Sequence, residues 1–188
     1  PEQGEFLSYY YLGNLPYYPL PRQERINEEV TAQELEQIVK QHERLYALLW
    51  AVEERDPQHF VEGWLNEHLF PTDHRWFGNV RLVLYTVSRM VSLDTVQHSI
   101  DAYLDDKVVL SGYSLWDGEV PAGDTLTLTL FWRGLEGIER RYKVFVHLLD
   151  EGGAIVAQRD AEPVGGTRPT TSWSVGETVV DNYGLSID

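Results

Sequence analysis

The sequence predicts an α+β protein in two unlike portions. A small βαβαβ parallel sheet is expected over residues 1–90, followed by an antiparallel, jelly-roll-like β-sandwich over residues 92–188. Two observations carry this reading. Up to about residue 87, apolar runs alternate with helical spacing, the order that lays parallel strands side by side through right-handed crossovers. Beyond residue 92 come short alternating runs broken by Gly, Pro and Asp roughly every ten residues, which is the rhythm of a sandwich.

Residues 6–11, Phe-Leu-Ser-Tyr-Tyr-Tyr, form a β-prone aromatic run and the expected first strand. Pro16, Pro19 and Pro21 then remove amide donors and favour extended backbone, so residues 13–21 read as an irregular, Tyr-rich loop. Thr31 and Glu34 have the spacing of a capping box, and Leu35, Ile38 and Val39 recur behind them. A helix is expected from Thr31 to about Gln41 or His42. Residues 45–52 are apolar throughout and fit either a buried strand or a helix extension. We read a strand, because Asp56 and Pro57 restart a helix as N-cap and first helical residue. Phe60, Val61, Trp64, Leu65, His68 and Leu69 make its apolar stripe. Residues 80–87 are the third strand.

The second portion starts with a strand at 107–116 and a turn at Pro121-Ala122-Gly123, with Pro at the second turn position and Gly at the fourth. Over 124–132, Leu126, Leu128, Leu130 and Trp132 share one face, with Thr125, Thr127 and Thr129 on the other. That alternation suits a sheet with one buried and one wet face. Strands at 142–149, 154–160 and 178–183 complete the set, with a turn at Asp150-Glu151-Gly152-Gly153.

Composition narrows the function. Thirty Asp and Glu against fifteen Lys and Arg give a net charge of −15, with no basic stripe, which argues against nucleic acid and against an anionic membrane surface. With no cysteine there are no disulfides, no thiolate catalysis and no cysteine-bound zinc. The longest apolar run, 45–52, is less than half of the ~20 residues a membrane-spanning helix needs. The chain begins at Pro1 and its only Met is Met90, so it is expected to be a piece of something longer.

No phosphate loop, dinucleotide fingerprint, nucleophile elbow or metalloprotease motif is present. His42, His59, His68, His74, His98 and His147 give no converging metal pair. Asp94, Asp101, Asp105 and Asp106 offer carboxylates for calcium, but without EF-hand spacing they read equally as a solvated turn. A carboxylate pair for glycoside hydrolysis is a matter of separation in space, so thirty acids leave it open. Trp116, Trp132 and Trp173 are candidates for a sugar-stacking platform. Trp132 shares its face with leucines and belongs with the core, whereas Trp173 sits in a polar Thr-Thr-Ser-Trp-Ser surround and is the better exposed candidate. In open parallel sheets, ligands bind beyond the carboxyl ends of the strands. Tyr17, Tyr18, Arg22, Arg25 and Arg55 are therefore expected on one surface, arginines suiting phosphate and tyrosines a sugar or lipid headgroup. The alternative is a surface loop packed by its own aromatics.

Residues 9–16 (Tyr-Tyr-Tyr-Leu-Gly-Asn-Leu-Pro), 50–57 and 61–65 (Val-Glu-Gly-Trp-Leu) resemble the stretch that follows the last membrane helices in bacterial membrane glycosyltransferases of the dolichyl-phosphate-mannose mannosyltransferase type. Residues 121–124, 130–132, 142–150 and 173–177 resemble the β-rich tail many of them carry. The resemblance implies a parent at the extracytoplasmic face of the cell membrane that moves a sugar from a polyprenyl-phosphate donor. That family's catalytic aspartate lies near the first membrane helix, a region absent from this chain, so no catalytic residue carries over and no cofactor is implied. The chain is then expected to be non-catalytic by itself. Its partners would be the membrane-embedded part of the parent and a glycan or lipid-linked sugar held on an open sheet face. The alternatives are a structural or oligomerising cap with no ligand, and a free-standing glycan-binding or hydrolytic domain.

Overall fold

The computed structural model describes residues 9, 11–22, 25–87, 95–115 and 118–187. Helix α1 (Glu28–Val39) is capped by Asn27, whose side-chain oxygen accepts the Val30 amide at 3.1 Å. It starts before the Thr31–Glu34 pair, and Thr31 is buried inside it instead of capping it. Strand β1 (Arg44–Leu49) alternates exposed and half-buried side chains, and a 3-10 turn at Val52–Glu54 leads toward helix α2 (Phe60–His68). The N-cap position of α2 falls at His59, but its first amides are satisfied by Asp56. Its two carboxylate oxygens accept the amides of Phe60 and Val61, each at 2.8 Å, while Pro57 stays in the preceding turn.

After Leu69 the chain enters β2 (Phe70–Phe77) and returns as β3 (Val80–Thr86). The link is Gly78-Asn79, and Gly78 has φ +63°, the left-handed backbone a two-residue hairpin loop requires. The sheet order is β1-β3-β2 and both pairings are antiparallel. The expected parallel βαβαβ unit is therefore wrong. The cause is β2, which no sequence pattern had marked as a strand. A hairpin closes through two residues, whereas parallel neighbours need a long crossover. The expected strand at 6–11 lies mostly outside the described residues, and Tyr9 and Tyr11 belong to no sheet.

The rest of the chain forms β4 (His98–Leu104), β5 (Val108–Leu115), β6 (Thr125–Gly134), β7 (Val144–Leu149), β8 (Ile155–Ala161) and β9 (Thr178–Ser186). One antiparallel sheet runs β4-β5-β6-β9, and β7-β8 is a separate hairpin. Neither sheet curls or closes, so the jelly roll is also wrong. Between β8 and β9 the chain spends its length on 3-10 segments at Pro163–Gly166 and Thr170–Ser172, with left-handed Val164, Gly165 and Gly166, instead of adding strands. The turn before β6 is shifted by one residue from expectation. The Asp124 amide bonds the Pro121 carbonyl at 3.1 Å, and Gly123, at φ +86°, holds the third position.

One core lies between the helices and the first sheet, built from Leu35, Trp64, Leu65, Leu69, Val83 and Tyr85. A second lies on the β7-β8 side of the four-stranded sheet, with Leu130, Trp132, Val164, Trp173, Val179 and Tyr183. Leu126, Ala157 and Leu185 extend that layer. The threonine face of β6, expected to be wet, is closed: Thr127 is 4 % exposed and Thr129 fully buried. Thr129 donates to the Asn182 side-chain oxygen at 2.9 Å, and Asn182 Nδ2 donates to the Glu67 carbonyl of α2 at 2.9 Å. The Thr129 hydroxyl is buried because it finds a partner on the neighbouring strand, and Asn182 in turn bonds across the joint between the two portions. Gly184 completes the joint, since a Cβ there would stand 2.6 Å from Thr72 Oγ1.

Candidate functional site

The antiparallel first sheet removes the shared carboxyl-end edge on which the ligand surface was expected. Tyr18 and Arg22 do meet, lining an open groove of about 360 Å³ along α1 with Gln33, Gln37 and Gln41. The Tyr18 hydroxyl is 3.0 Å from His42 Nε2, and Arg22 is paired with Glu34 at 3.1 Å. Tyr17 and Arg25 are exposed on the loop but do not line this groove, and Arg55 lies in the turn before α2, half-buried. Trp173 is only 7 % exposed and its indole N–H donates to the Arg168 carbonyl at 3.0 Å. It is a core residue, as is Trp132, and Trp116 lies outside the described residues. The tryptophans considered for sugar stacking therefore form no exposed platform among the described residues. Nor is the threonine face available to a glycan, being buried.

The aspartates considered for calcium do not converge. Asp101, Asp105 and Asp106 each adopt a left-handed φ, Asp94 lies outside the described residues, and no group of three metal-ligating side chains occurs among the described residues. His68 is taken up by α2: its Nδ1 lies 2.8 Å from the Trp64 carbonyl and its ring stacks on Trp64 at 4.1 Å.

The most perturbed titratable groups are buried, Asp181 and Tyr183 in the second core and Tyr85 in the first, with Arg159 at the contact between them. Asp181 is fully buried and accepts from the Val164 amide at 2.7 Å, the Tyr183 hydroxyl at 2.7 Å and the Trp132 indole at 3.2 Å. Burial pushes its carboxyl up to about 6, outweighing the three hydrogen bonds that favour the anion. Tyr183 and Tyr85 are both raised, again chiefly by burial. Arg159 is lowered by burial, and its Nη1 donates to the Thr72 carbonyl at 2.8 Å. Tyr85 donates to Asn66 Oδ1 at 2.8 Å, and Glu62 pairs with Arg81. Perturbed groups gathered this way often mark active sites. Here Asp181, Tyr85 and Tyr183 are each 1 % exposed or less, and their hydrogen bonds stay within their own portions, Asp181 with Val164, Tyr183 and Trp132, and Tyr85 with Asn66.

What the structure leaves uncovered is the outer face of the first sheet. Its inner face carries Leu45, Ala47, Leu49, Val83 and Tyr85 into the helical core. The strand register then places Tyr46 opposite Leu84, Leu48 opposite Leu82 and Phe77 opposite Val80 on the other side. Tyr46 is 61 % exposed, Leu48 51 % and Phe77 61 %. The two charges in these rows, Asp73 and Arg75, pair with each other at 3.2 Å. Such a face arises because strand alternation sends every second residue outward, and on most of β1 and β3 those residues are apolar. The sequence signal for half of it was the Gly78-Asn79 turn between two β-prone runs.

Comparison with protein-family models, with curated proteins and with solved structures found no match.

Proposed function

We propose that this chain is a non-catalytic, extracytoplasmic module of a membrane glycosyltransferase that packs against the membrane-embedded part of its parent. The observation that carries the reading is the uncovered apolar face built by Tyr46, Leu48, Leu82, Leu84 and Phe77. A contiguous apolar patch of this kind is what a contact surface presents, and its position on one sheet face supports packing against a neighbour. The burial of Asp181, Tyr85 and Tyr183 supports a non-catalytic role for these groups, since a general acid or base must reach its substrate. The parent's identity rests on the sequence resemblance at residues 9–16, 61–65, 121–124 and 142–150.

The test is direct. The purified chain, incubated with polyprenyl-phosphate-linked sugars and an acceptor, is expected to transfer nothing. It is also expected to bind no member of a glycan panel below millimolar concentration. Full-length gene product is expected in the membrane fraction. Sugar transfer by the isolated chain, or full-length product that remains in the soluble fraction, overturns the reading.

A further inference from the structure

On the reading just given, we infer that the outer face of the β1-β3-β2 sheet docks on a protein surface of the same parent chain, apolar at its centre and cationic at its rim. Two observations select this occupant over a lipid bilayer or a second copy, and a third selects this face.

The first is charge. The face itself carries no unpaired charge at its centre, because Asp73 and Arg75 neutralise each other, and Arg44 at its margin is paired with Asp124 at 3.2 Å. Its surroundings are acidic. Glu43 stands exposed at the start of β1, and Glu53 and Glu54 stand exposed beyond its end. A second copy would bring the same acids to the same places, on a molecule already at −15. An anionic lipid surface would be repelled in the same way. Lys or Arg around an apolar centre answers both features.

The second is size. Strands of about seven residues, at ~3.3 Å per residue and ~4.8 Å between strands, give a face of roughly 300 Å². A stable complex between free partners buries about 800 Å² on each side. The face is too small to recruit a free partner. It suits a partner held nearby by covalent linkage, where an effective concentration in the millimolar range makes up for weak contact.

The third is that the apolar side chains of this face form one patch. The paired rows Tyr46–Leu84 and Leu48–Leu82 lie side by side on β1 and β3, and Phe77–Val80 closes the β2-β3 end. By contrast β4, the exposed edge of the other sheet, is interrupted by a bulge between Ser99 and Ala102 and by left-handed Asp101, devices that blunt an edge against pairing.

The experiment uses full-length gene product in native membranes, carrying a photo-crosslinking amino acid at position 48 or 77, with position 103 on β4 as control. Adducts from 48 and 77 should map to extramembrane, Lys- or Arg-flanked apolar segments of the same polypeptide, and position 103 should give none. Adding Tyr46→Glu should abolish the adduct from 77 while the purified chain keeps its melting temperature. Adducts to lipid, to a second copy, or equally from 103 overturn the inference while leaving the broader reading intact. Product that never reaches the membrane overturns the broader reading and this inference with it.

Discussion

Asp181 and Tyr183, two positions apart on one face of β9, share a 2.7 Å hydrogen bond that the phenol donates, in a site where both side chains are almost wholly out of water. Among the described residues no Lys, Arg or His donates to this carboxylate. Its partners are the Val164 amide, the Tyr183 hydroxyl and the Trp132 indole. A buried anion stabilised only by neutral donors is costly, and that cost makes stability depend on pH.

Burial raises the Asp181 carboxyl from 3.8 to about 6, so the folded chain binds this proton more tightly than the unfolded chain does. The stabilisation is fully present below the unfolded value near pH 4 and is lost as pH rises through about 6. The difference amounts to about 3 kcal/mol. Urea denaturation between pH 4 and pH 8 should show Asp181→Asn removing a downward slope that the native chain has between these values. Identical slopes in the two proteins would contradict it.

Glu177 acts in the opposite sense. The Ser174 amide and Arg168 hold its carboxyl below the usual carboxylate range, so its contribution is present above that range and is lost on acidification through the depressed value. In Glu177→Gln, the fall in melting temperature on going from pH 5 to pH 3 should be smaller than in the native chain.

The joint is expected to make the two portions unfold together. Asn182→Ala removes the bond to the Glu67 carbonyl and leaves Thr129 without its acceptor. A loss of about 2–3 kcal/mol is expected in urea titrations, with tryptophan fluorescence and far-ultraviolet circular dichroism still giving coincident transitions. Two separated transitions in the native chain would show the joint to be weak.

Gly184 tests the closeness of that joint. A Cβ at 184 would stand 2.6 Å from Thr72 Oγ1 and 3.3 Å from the Pro71 carbonyl, so Gly184→Ala should cost about 1–3 kcal/mol. Adding Thr72→Ala should recover part of the loss, giving a non-additive double-mutant cycle.

Cap and surface positions should separate sharply. Asp56→Ala leaves the Phe60 and Val61 amides without their acceptors and should cost about 1–2 kcal/mol by thermal melting. Leu48→Glu, on the uncovered face, should change stability by no more than about 0.5 kcal/mol. A large loss at Leu48 would mean the face is covered in the isolated chain.

Local chemistry was legible where it acts over a few residues. Asp56 satisfies the first amides of the second helix although the N-cap position falls three residues later at His59, Leu126, Leu128, Leu130 and Trp132 share a face of β6, and Asp150 to Gly153 turn the chain, because each depends on spacing along one segment. The candidate surface was less legible. Tyr18 and Arg22 share a groove, but Trp173, judged exposed from its polar neighbours, is buried by strands distant in sequence. Leu82 becomes a neighbour of Leu48, and Val80 of Phe77, only through strand pairing, which no single segment encodes.

By itself the sequence determined the acidic surface, the absence of thiol chemistry, the two helices and the alternation within individual strands, all properties of composition or short-range period. Tertiary structure decided the rest: that the first sheet is antiparallel, that the threonine face of β6 is buried, and that one apolar sheet face stays open. The physical reason is that a strand's two faces are equivalent until a neighbour covers one. A hydroxyl or an amide will accept burial as readily as water once a partner such as Asn182 stands opposite it.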